Sequence, residues 1–223
     1  MNFFGHAALA ASHFGDERPL PSPSELSRLC AGSMLPDFIG MLRLGRPALA
    51  DAVVSRGVAF HHKSDEAFHE LTSFVSLSRQ AFVWLSERGM PRGPARAVAH
   101  IGIEMLLDEV FAQRAAAREA YLAALQVPLA QLMTFSVSSD AERLAALQSA
   151  LLARSSTVLE PPPPLVAERI RRTLAGRPRL ATDEAAQELL ARWVALTRPS
   201  VAAEAPEVFA ALRLRLANFG GAK

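Results

Sequence analysis

The stretch Val98-Ala-His-Ile-Gly-Ile-Glu-Met-Leu-Leu-Asp-Glu-Val-Phe111 decides the fold, because it is apolar on most sides of a helix. Four polar residues recur at every fourth position and line one stripe of that helix: Arg96, His100, Glu104 and Asp108. A helix this apolar is expected to be buried, and a buried carboxylate is costly unless it is paired or bound to a metal. Two interpretations stay open: Arg96 and His100 neutralise the carboxylates in an ion-pair ladder, or the carboxylates serve a functional site.

The rest of the chain has the same helical character. Ala, Leu, Arg, Glu and Gln dominate, and no alternating β-branched run with hairpin residues appears. Half of the 223 residues are hydrophobic and 21% are charged, which is enough apolar material for a core. We therefore expect an all-α protein. The predicted helices are Phe3–Phe14, Ser24–Ala31, Pro36–Leu44, Pro47–His62, Asp65–Arg88, Pro91–Gln126 (with one bend or break), Asp140–Arg154, Pro164–Leu174, Thr182–Arg198 and Pro206–Phe219.

Four consecutive prolines, Pro161–Pro164, predict a stiff polyproline II connector before the C-terminal helices. The connector could mark a domain boundary. However, only about 60 residues follow it, which is few for an independent core. We therefore prefer a single helical domain over residues 1–223.

Composition excludes several classes of protein. A single cysteine, Cys30, excludes a disulfide framework and thiolate-rich zinc sites. The 24 basic and 22 acidic residues give a net charge of +2, which is too balanced to indicate a nucleic-acid binder. No run of about 18 apolar residues occurs, and no Lys or Arg precedes the first apolar stretch, so neither a membrane span nor a secretory signal is expected. We expect a soluble, cytoplasmic protein.

A second polar segment is Gly57-Val-Ala-Phe-His-His-Lys-Ser-Asp65. On a helix His61 and Asp65 share a face, a spacing suited to two ligands of one divalent cation. The alternative is that Asp65 caps the next helix. His62 and Lys63 lie beside them, and the Lys63 cation could contact a phosphate.

Isolated polar residues add to this pattern. Asp37 follows Pro36 near an expected helix start, where favourable interaction with the helix dipole is an adequate structural explanation. His6 is one imidazole on an apolar first helix, which is more often a core residue than a ligand. His13 and His69 have polar neighbours and are interpreted as surface residues. Taken together, histidines and carboxylates on four helices predict a site for Mn, Mg, Fe or Zn, of the kind that typically hydrolyses phosphoesters.

Five motifs then occur in a recognisable order: Met-Asn-Phe-x-x-His at the start, Gly-x-x-x-Pro-Asp-Phe at 32–38, Gly-Val-x-x-His-x-x-x-Asp at 57–65, Ile-x-x-Glu-x-x-x-Asp at 101–108 and Arg177-Pro-Arg-Leu180. With this set, which spans about 200 residues, the chain resembles the acyl carrier protein phosphodiesterases. The resemblance implies an all-helical bundle related to the HD-domain phosphohydrolases. It also implies hydrolysis of the phosphodiester that joins 4′-phosphopantetheine to holo-acyl carrier protein, with Mn²⁺ or Mg²⁺.

The resemblance also assigns residues. The implied metal ligands are His6, Asp37, His61 and Asp108. Asp65 would be a further ligand or would orient His61. Glu104, where the family usually has aspartate, or His62 would be the general acid or base. We favour Glu104, because its apolar surroundings are expected to raise its pKa toward neutrality. The residues expected to contact the phosphate or an acidic carrier protein are Lys63, Arg177 and Arg179.

Two positions depart from the family pattern. Ala59 and Glu109 stand where family members have histidine, and His62 and His100 could compensate. Two alternatives therefore stay open. One is a non-catalytic helical binding protein on the same fold, and the other is an HD-type hydrolase of a nucleotide or another small phosphodiester.

Overall fold

The computed structural model describes residues 1–154 and 160–220, and 75% of it is helical. The all-α class expected from the sequence is confirmed. The helices within these residues are α1 (Phe3–Gly15), α2 (Pro23–Leu42), α3 (Ala52–His69), α4 (Thr72–Glu87), α5 (Arg92–Ala112), α6 (Ala115–Leu125), α7 (Ser138–Ala153), α8 (Pro163–Ala175) and α9 (Ala186–Leu216). A 3₁₀ turn (Leu129–Gln131) and two short antiparallel strands, β1 (Ala48–Leu49) and β2 (Met133–Thr134), complete the secondary structure of this part of the chain.

The chain divides into two compact units, neither of which is continuous in sequence. Among the described residues, unit I comprises residue 1 with residues 68–110 and 160–211, and unit II comprises residues 2–67, 111–154 and 212–220. In unit I, Gly102 of α5 leaves room for the ring of Trp193 on α9, which a Cβ at residue 102 would overlap. In unit II, α1, α2 and α6 pack on one another. The single-domain organisation expected from the sequence stays a prediction.

Helix α2 is longer than the sequence predicts, because it continues through Pro36. A proline inside a helix removes one backbone hydrogen bond and costs about 3 kcal/mol. The stretch from Leu29 to Leu35 is wholly buried, and this burial outweighs the cost of the proline. Asp37 therefore lies in the middle of a helix, and the explanation that it complements a helix start is wrong.

Helix α3 also differs from the prediction. It runs without interruption from Ala52 to His69, so Asp65 lies within this helix and is not the cap of the next one. The expected shared face of His61 and Asp65 follows directly from their four-residue spacing on this helix. The predicted interruption falls instead near residue 70, before α4.

The other proline-containing segments agree with the predicted helices only in part. Helix α9 continues through Pro199 and Pro206, where two separate helices are predicted. Residues 91–126 form two helices, α5 and α6, so the expected break is confirmed. In the proline run, Pro162 has extended dihedrals (φ −58°, ψ 147°), but Pro163 and Pro164 form the first turn of α8. Proline is tolerated in a first turn because the N–H groups there have no intrahelical partner. The rigid connector is therefore shorter than predicted.

No helix in residues 1–154 and 160–220 combines the length and the apolar character needed to cross a membrane.

Candidate metal centre

Three helices of unit II bring two histidines and a carboxylate together. His6 is on α1, Asp37 is on α2 and His61 is on α3, and their potential ligand atoms all lie within 4.8 Å of one another. Both histidines are buried, whereas Asp37 is half-buried. We call these three residues the buried centre.

A contact between two glycines sets the separation of α2 and α3 beside the buried centre. A Cβ at Gly32 would overlap the Val54 carbonyl oxygen and lie 3.0 Å from the Gly57 Cα atom. A Cβ at Gly57 would similarly overlap the Leu29 carbonyl oxygen. The two helix backbones can approach this closely only because neither residue has a side chain. Ser33 directly follows Gly32, and His61 lies four residues after Gly57. The close approach of the two helices therefore brings Ser33 and His61 within hydrogen-bonding distance.

The protonation of the His61 ring follows from that hydrogen bond. Its Nδ1 atom lies 2.8 Å from the backbone carbonyl oxygen of Ser33. A carbonyl oxygen can only accept, so Nδ1 must carry the hydrogen and donate it. In the neutral ring the Nε2 atom then holds the lone pair, which is the form in which histidine binds metals.

The His6 ring is fixed in the same way by a serine. Its Nδ1 atom lies 2.9 Å from the hydroxyl oxygen of Ser64. That hydroxyl donates its one hydrogen to the His61 carbonyl oxygen at 3.0 Å, so it accepts from the Nδ1–H group of His6. Both imidazoles are thus held in the tautomer that keeps the lone pair on Nε2.

Electrostatics keep His61 neutral. Burial, and then the His6 ring, lower the pKa of His61 to about 3, although the hydrogen bond to Ser33 acts in the opposite direction. The centroids of the two imidazole rings are only 4.0 Å apart, so two adjacent positive rings would repel each other in a buried site. His61 is therefore an uncharged donor at neutral pH.

Asp65 is the fourth polar residue at this site. Its Oδ1 atom lies 3.7 Å from Nε2 of His6, and its side chain is 39% exposed. The His61 ring is oriented by its hydrogen bond to the Ser33 carbonyl oxygen, so Asp65 is not needed to orient it. Its position is compatible with the other predicted role, that of a further metal ligand.

The donor set fits a divalent metal. Two imidazole nitrogens with one or two carboxylates suit Mn, Fe or Zn, whereas Mg²⁺ prefers oxygen ligands and water. Of the two ions that the resemblance implies, Mn²⁺ fits these residues better.

The other predicted site residues lie elsewhere. His62 and Lys63 are exposed on α3, and the Lys63 ammonium lies 2.7 Å from a Glu66 carboxylate oxygen. Arg177 and Arg179 lie in an exposed turn of unit I after α8. Asp108 is buried on α5, also in unit I, and its role as a ligand stays a prediction.

Unit I contains a second group of histidines, which we call the α5 cluster: His69, His100 and Glu104. The rings of His69 and His100 are stacked, with centroids 4.9 Å apart and planes within 6°. The Glu104 Oε1 atom lies 3.1 Å from Nε2 of His100, 3.5 Å from Nε2 of His69 and 3.0 Å from the Met1 ammonium nitrogen. His69, interpreted from the sequence as a surface residue, has a side chain that is 33% exposed and also packs against His100 and Glu104.

The expected pKa of Glu104 is also wrong. Burial raises this pKa, but the Met1 ammonium and the hydrogen bonds from His100 and His69 lower it by a larger amount. The pKa of Glu104 therefore lies below its usual range. Glu104 is therefore ionised at neutral pH. The reason for preferring Glu104 as general acid or base is therefore lost. Of the two interpretations left open for this stripe, the contact between His100 and Glu104 is observed.

Sequence analysis missed the residues that organise the buried centre. Ser64 lies between two charged residues and carries no motif, and Ser33 contributes only its carbonyl. The available signal was Gly57, which lies inside a predicted helix, since an interior glycine costs stability unless a close contact requires it. Gly32 gave no such signal, because it falls between two predicted helices.

No family model, curated protein or solved structure matches this chain.

Proposed function

We propose that this chain is a metal-dependent phosphodiesterase whose divalent ion is held by His6, Asp37 and His61. One observation carries the proposal: two imidazoles with hydrogen-bonded Nδ1 atoms share the buried centre with a carboxylate, within 4.8 Å. A bound ion of this class lowers the pKa of a water ligand and stabilises negative charge on a phosphoryl oxygen. Asp108 is added to the ligand set by the resemblance alone.

The surrounding residues suggest how protons are handled. His62 follows His61 on α3 and is exposed, and Asp65 Oδ1 lies 3.7 Å from Nε2 of His6. Since Glu104 is ionised, His62, the other residue predicted as general acid or base, is preferred as the proton donor to a leaving group. Asp65 serves as a further ligand, because its exposed carboxylate reaches the His6 side of the buried centre.

The substrate class rests on the resemblance to acyl carrier protein phosphodiesterases. We propose holo-acyl carrier protein as the substrate, with Mn²⁺ as the ion and the cytoplasm as the compartment. The Lys63–Glu66 pair fits this role, because an ion pair whose side chains are more than half exposed is weak, and the Lys63 ammonium can leave Glu66 to contact a phosphate. Arg177 and Arg179 offer further cations toward an acidic carrier.

The catalytic claim is tested with Mn²⁺ and a chromogenic phosphodiester. We expect one bound ion at the buried centre of the purified protein by elemental analysis, and hydrolysis that requires it. Asp37→Asn should remove both the ion and the hydrolysis, because the substitution deletes a negative ligand without changing volume. Asp16→Asn is the matched control, since Asp16 is an exposed carboxylate of the same unit, paired with Arg213.

Asp108→Ala tests the ligand added by resemblance. We expect loss of hydrolysis with unchanged helical circular dichroism. Full activity in Asp108→Ala would remove Asp108 from the ligand set, and full activity in Asp37→Asn would overturn the proposal as a whole. Release of 4′-phosphopantetheine from holo-acyl carrier protein, compared with turnover of a nucleotide panel, then separates the proposed substrate from other small phosphodiesters.

A non-catalytic binding protein is the second candidate, and one observation favours it. Glu109, which replaces a family histidine, pairs with Arg198 at 3.1 Å, so this position serves an ion pair. Burial raises the pKa of Glu109 to about 7 even though Arg198 opposes the shift. A protein that binds carrier protein but no metal would support this candidate.

A further inference from the structure

The α5 cluster has the geometry of a metal site that is separate from the buried centre. Its three potential donor atoms are Nε2 of His69, Nε2 of His100 and Oε1 of Glu104. They form a nearly equilateral triangle with sides of 3.1, 3.1 and 3.5 Å. In a tetrahedral zinc site with bonds of about 2.0–2.1 Å, donor atoms lie about 3.3–3.4 Å apart. The triangle therefore matches one face of such a tetrahedron.

Hydrogen bonding satisfies this triangle poorly. When both rings donate to Glu104, both Nε2 atoms carry hydrogen and face each other at 3.1 Å, with no acceptor between them. A cation placed over the triangle would interact with all three atoms at once.

Donor chemistry and geometry together indicate the ion. Two imidazoles with one carboxylate suit Zn²⁺ among several divalent ions, and the edge lengths of the triangle match tetrahedral zinc. Three protein ligands leave a fourth position for water or another group. The sequence spacing also suits a metal site, because His100 and Glu104 are one helical turn apart on α5 while His69 is the last residue of α3. His100 is 45% exposed, so an ion can reach the cluster from solvent.

We propose that His69, His100 and Glu104 form a zinc site in unit I. The proposal does not depend on the phosphodiesterase activity, since it shares no residue with the buried centre. The Met1 ammonium contacts the same Glu104 oxygen at 3.0 Å, so zinc and this ammonium compete for that carboxylate. The site is therefore expected to hold zinc less tightly than a closed structural site with four protein ligands.

The test is a titration of the full-length chain with Zn²⁺, and with Co²⁺ as a spectroscopic probe. An Asp37→Asn background weakens the buried centre, so that the remaining binding can be assigned. We expect one equivalent of zinc in this background, and visible Co²⁺ bands of the intensity typical of tetrahedral coordination. Adding His100→Ala should weaken zinc binding about tenfold or more and abolish those bands, since loss of a ligand costs at least as much as loss of its supporting contact.

Two further variants complete the design. His69→Gln should reproduce the loss if His100→Ala folds poorly, and circular dichroism reports folding in both. His62→Ala is the matched control, because it removes an exposed imidazole of the other unit and should leave binding and spectrum unchanged. Zinc binding of equal affinity with and without His100 and His69, or no zinc binding in the Asp37→Asn background, would overturn the proposal. Loss of the tetrahedral bands with His62→Ala would also overturn it.

Discussion

The buried centre and the α5 cluster contain the same kinds of side chain, two histidines and a carboxylate, but their protons are controlled differently. In the buried centre, a backbone carbonyl and a serine hydroxyl accept from the two Nδ1 atoms, and burial keeps His61 neutral. In the α5 cluster, the Nε2 atoms face each other and a carboxylate whose pKa is raised by burial but lowered by the Met1 ammonium and by hydrogen bonds from the two rings. The first arrangement leaves the Nε2 lone pairs available, and the second holds a negative charge.

The largest expected effect is on the glycine–glycine contact between α2 and α3 beside the buried centre. Gly32→Ala would force a Cβ into the backbone of α3, and we expect it to lower the free energy of unfolding by about 3 kcal/mol and to abolish metal binding at the buried centre. Urea denaturation and elemental analysis measure the two effects.

Gly40→Ala is the control in the same helix, because a Cβ there meets nothing within 4 Å. It should increase stability by about 0.5–1 kcal/mol, since alanine is the better helix former. Equal effects of the two substitutions would show that the glycine contact does not position the site.

A second prediction distinguishes a side-chain acceptor from a backbone acceptor. Ser64→Ala removes the group that accepts from His6, so metal affinity at the buried centre should fall about 10–100-fold. Ser33→Ala deletes an equally buried hydroxyl that donates only to the Cys30 carbonyl, and leaves the backbone acceptor of His61 in place. Calorimetric titration should therefore show little change in affinity for Ser33→Ala, and similar losses in both variants would refute the tautomer argument.

The third prediction concerns pH. The pKa of His61 is about 3 in the folded chain, against an ordinary value of 6.5, so below pH 6.5 the unfolded chain binds a proton that the folded chain does not. The contribution of His61 to the free energy of unfolding is fully present above pH 6.5. It falls by about 1.4 kcal/mol per pH unit as the pH decreases below that value. Unfolding of the metal-free protein between pH 7 and 4.5 should show this slope, and His61→Gln should reduce it by about that amount.

Glu104 gives the contrasting case within the same experiment. Its pKa is lowered in the folded chain, so its contribution is present above the ordinary glutamate range and is lost only at more acidic pH. Glu104 itself does not titrate between pH 6.5 and 5, so the part of the slope that His61→Gln removes should still be present in Glu104→Gln. A variant that flattened this slope would place the titrating group in the α5 cluster.

The smallest effect is expected for the exposed part of the α5 cluster. His100→Ala in the metal-free protein should change the free energy of unfolding by less than about 1 kcal/mol, because a half-exposed ion pair contributes little. Thermal unfolding with and without zinc checks this, since a stabilisation by zinc that needs His100 is expected only in the parent protein.

The sequence predicted much of the helical structure but not the ends of its helices. Apolar periodicity was sufficient for α1, α5 and α7. Propensity failed at Pro36, Pro199 and Pro206, because packing of long helices outweighs the local cost of a proline. Such tertiary compensation cannot be read from a local window.

The residues of the candidate site also fall into those that the sequence indicates and those that it does not. His6, Asp37 and His61 were visible as polar residues in apolar stretches, but the family resemblance assigned them as ligands, and the structure brings these three together. The roles of Ser33, Ser64 and His69 could not be predicted, since each depends on a residue far away in the sequence. The pKa of Glu104 is lowered, and not raised as expected, for the same reason. The cation that lowers it is the ammonium of residue 1, which is far away in the sequence.

The proline inside α2 has one more consequence. Pro36 has no N–H group, so the helix lacks the backbone bond that would otherwise reach the carbonyl of Gly32. The residue after it, Asp37, therefore sits where α2 can flex without breaking a bond, while the Gly32–Gly57 contact holds the adjoining turn against α3. We expect the Asp37 carboxylate to shift its position for ions of different radius, and the imidazoles of His6 and His61 to stay in place.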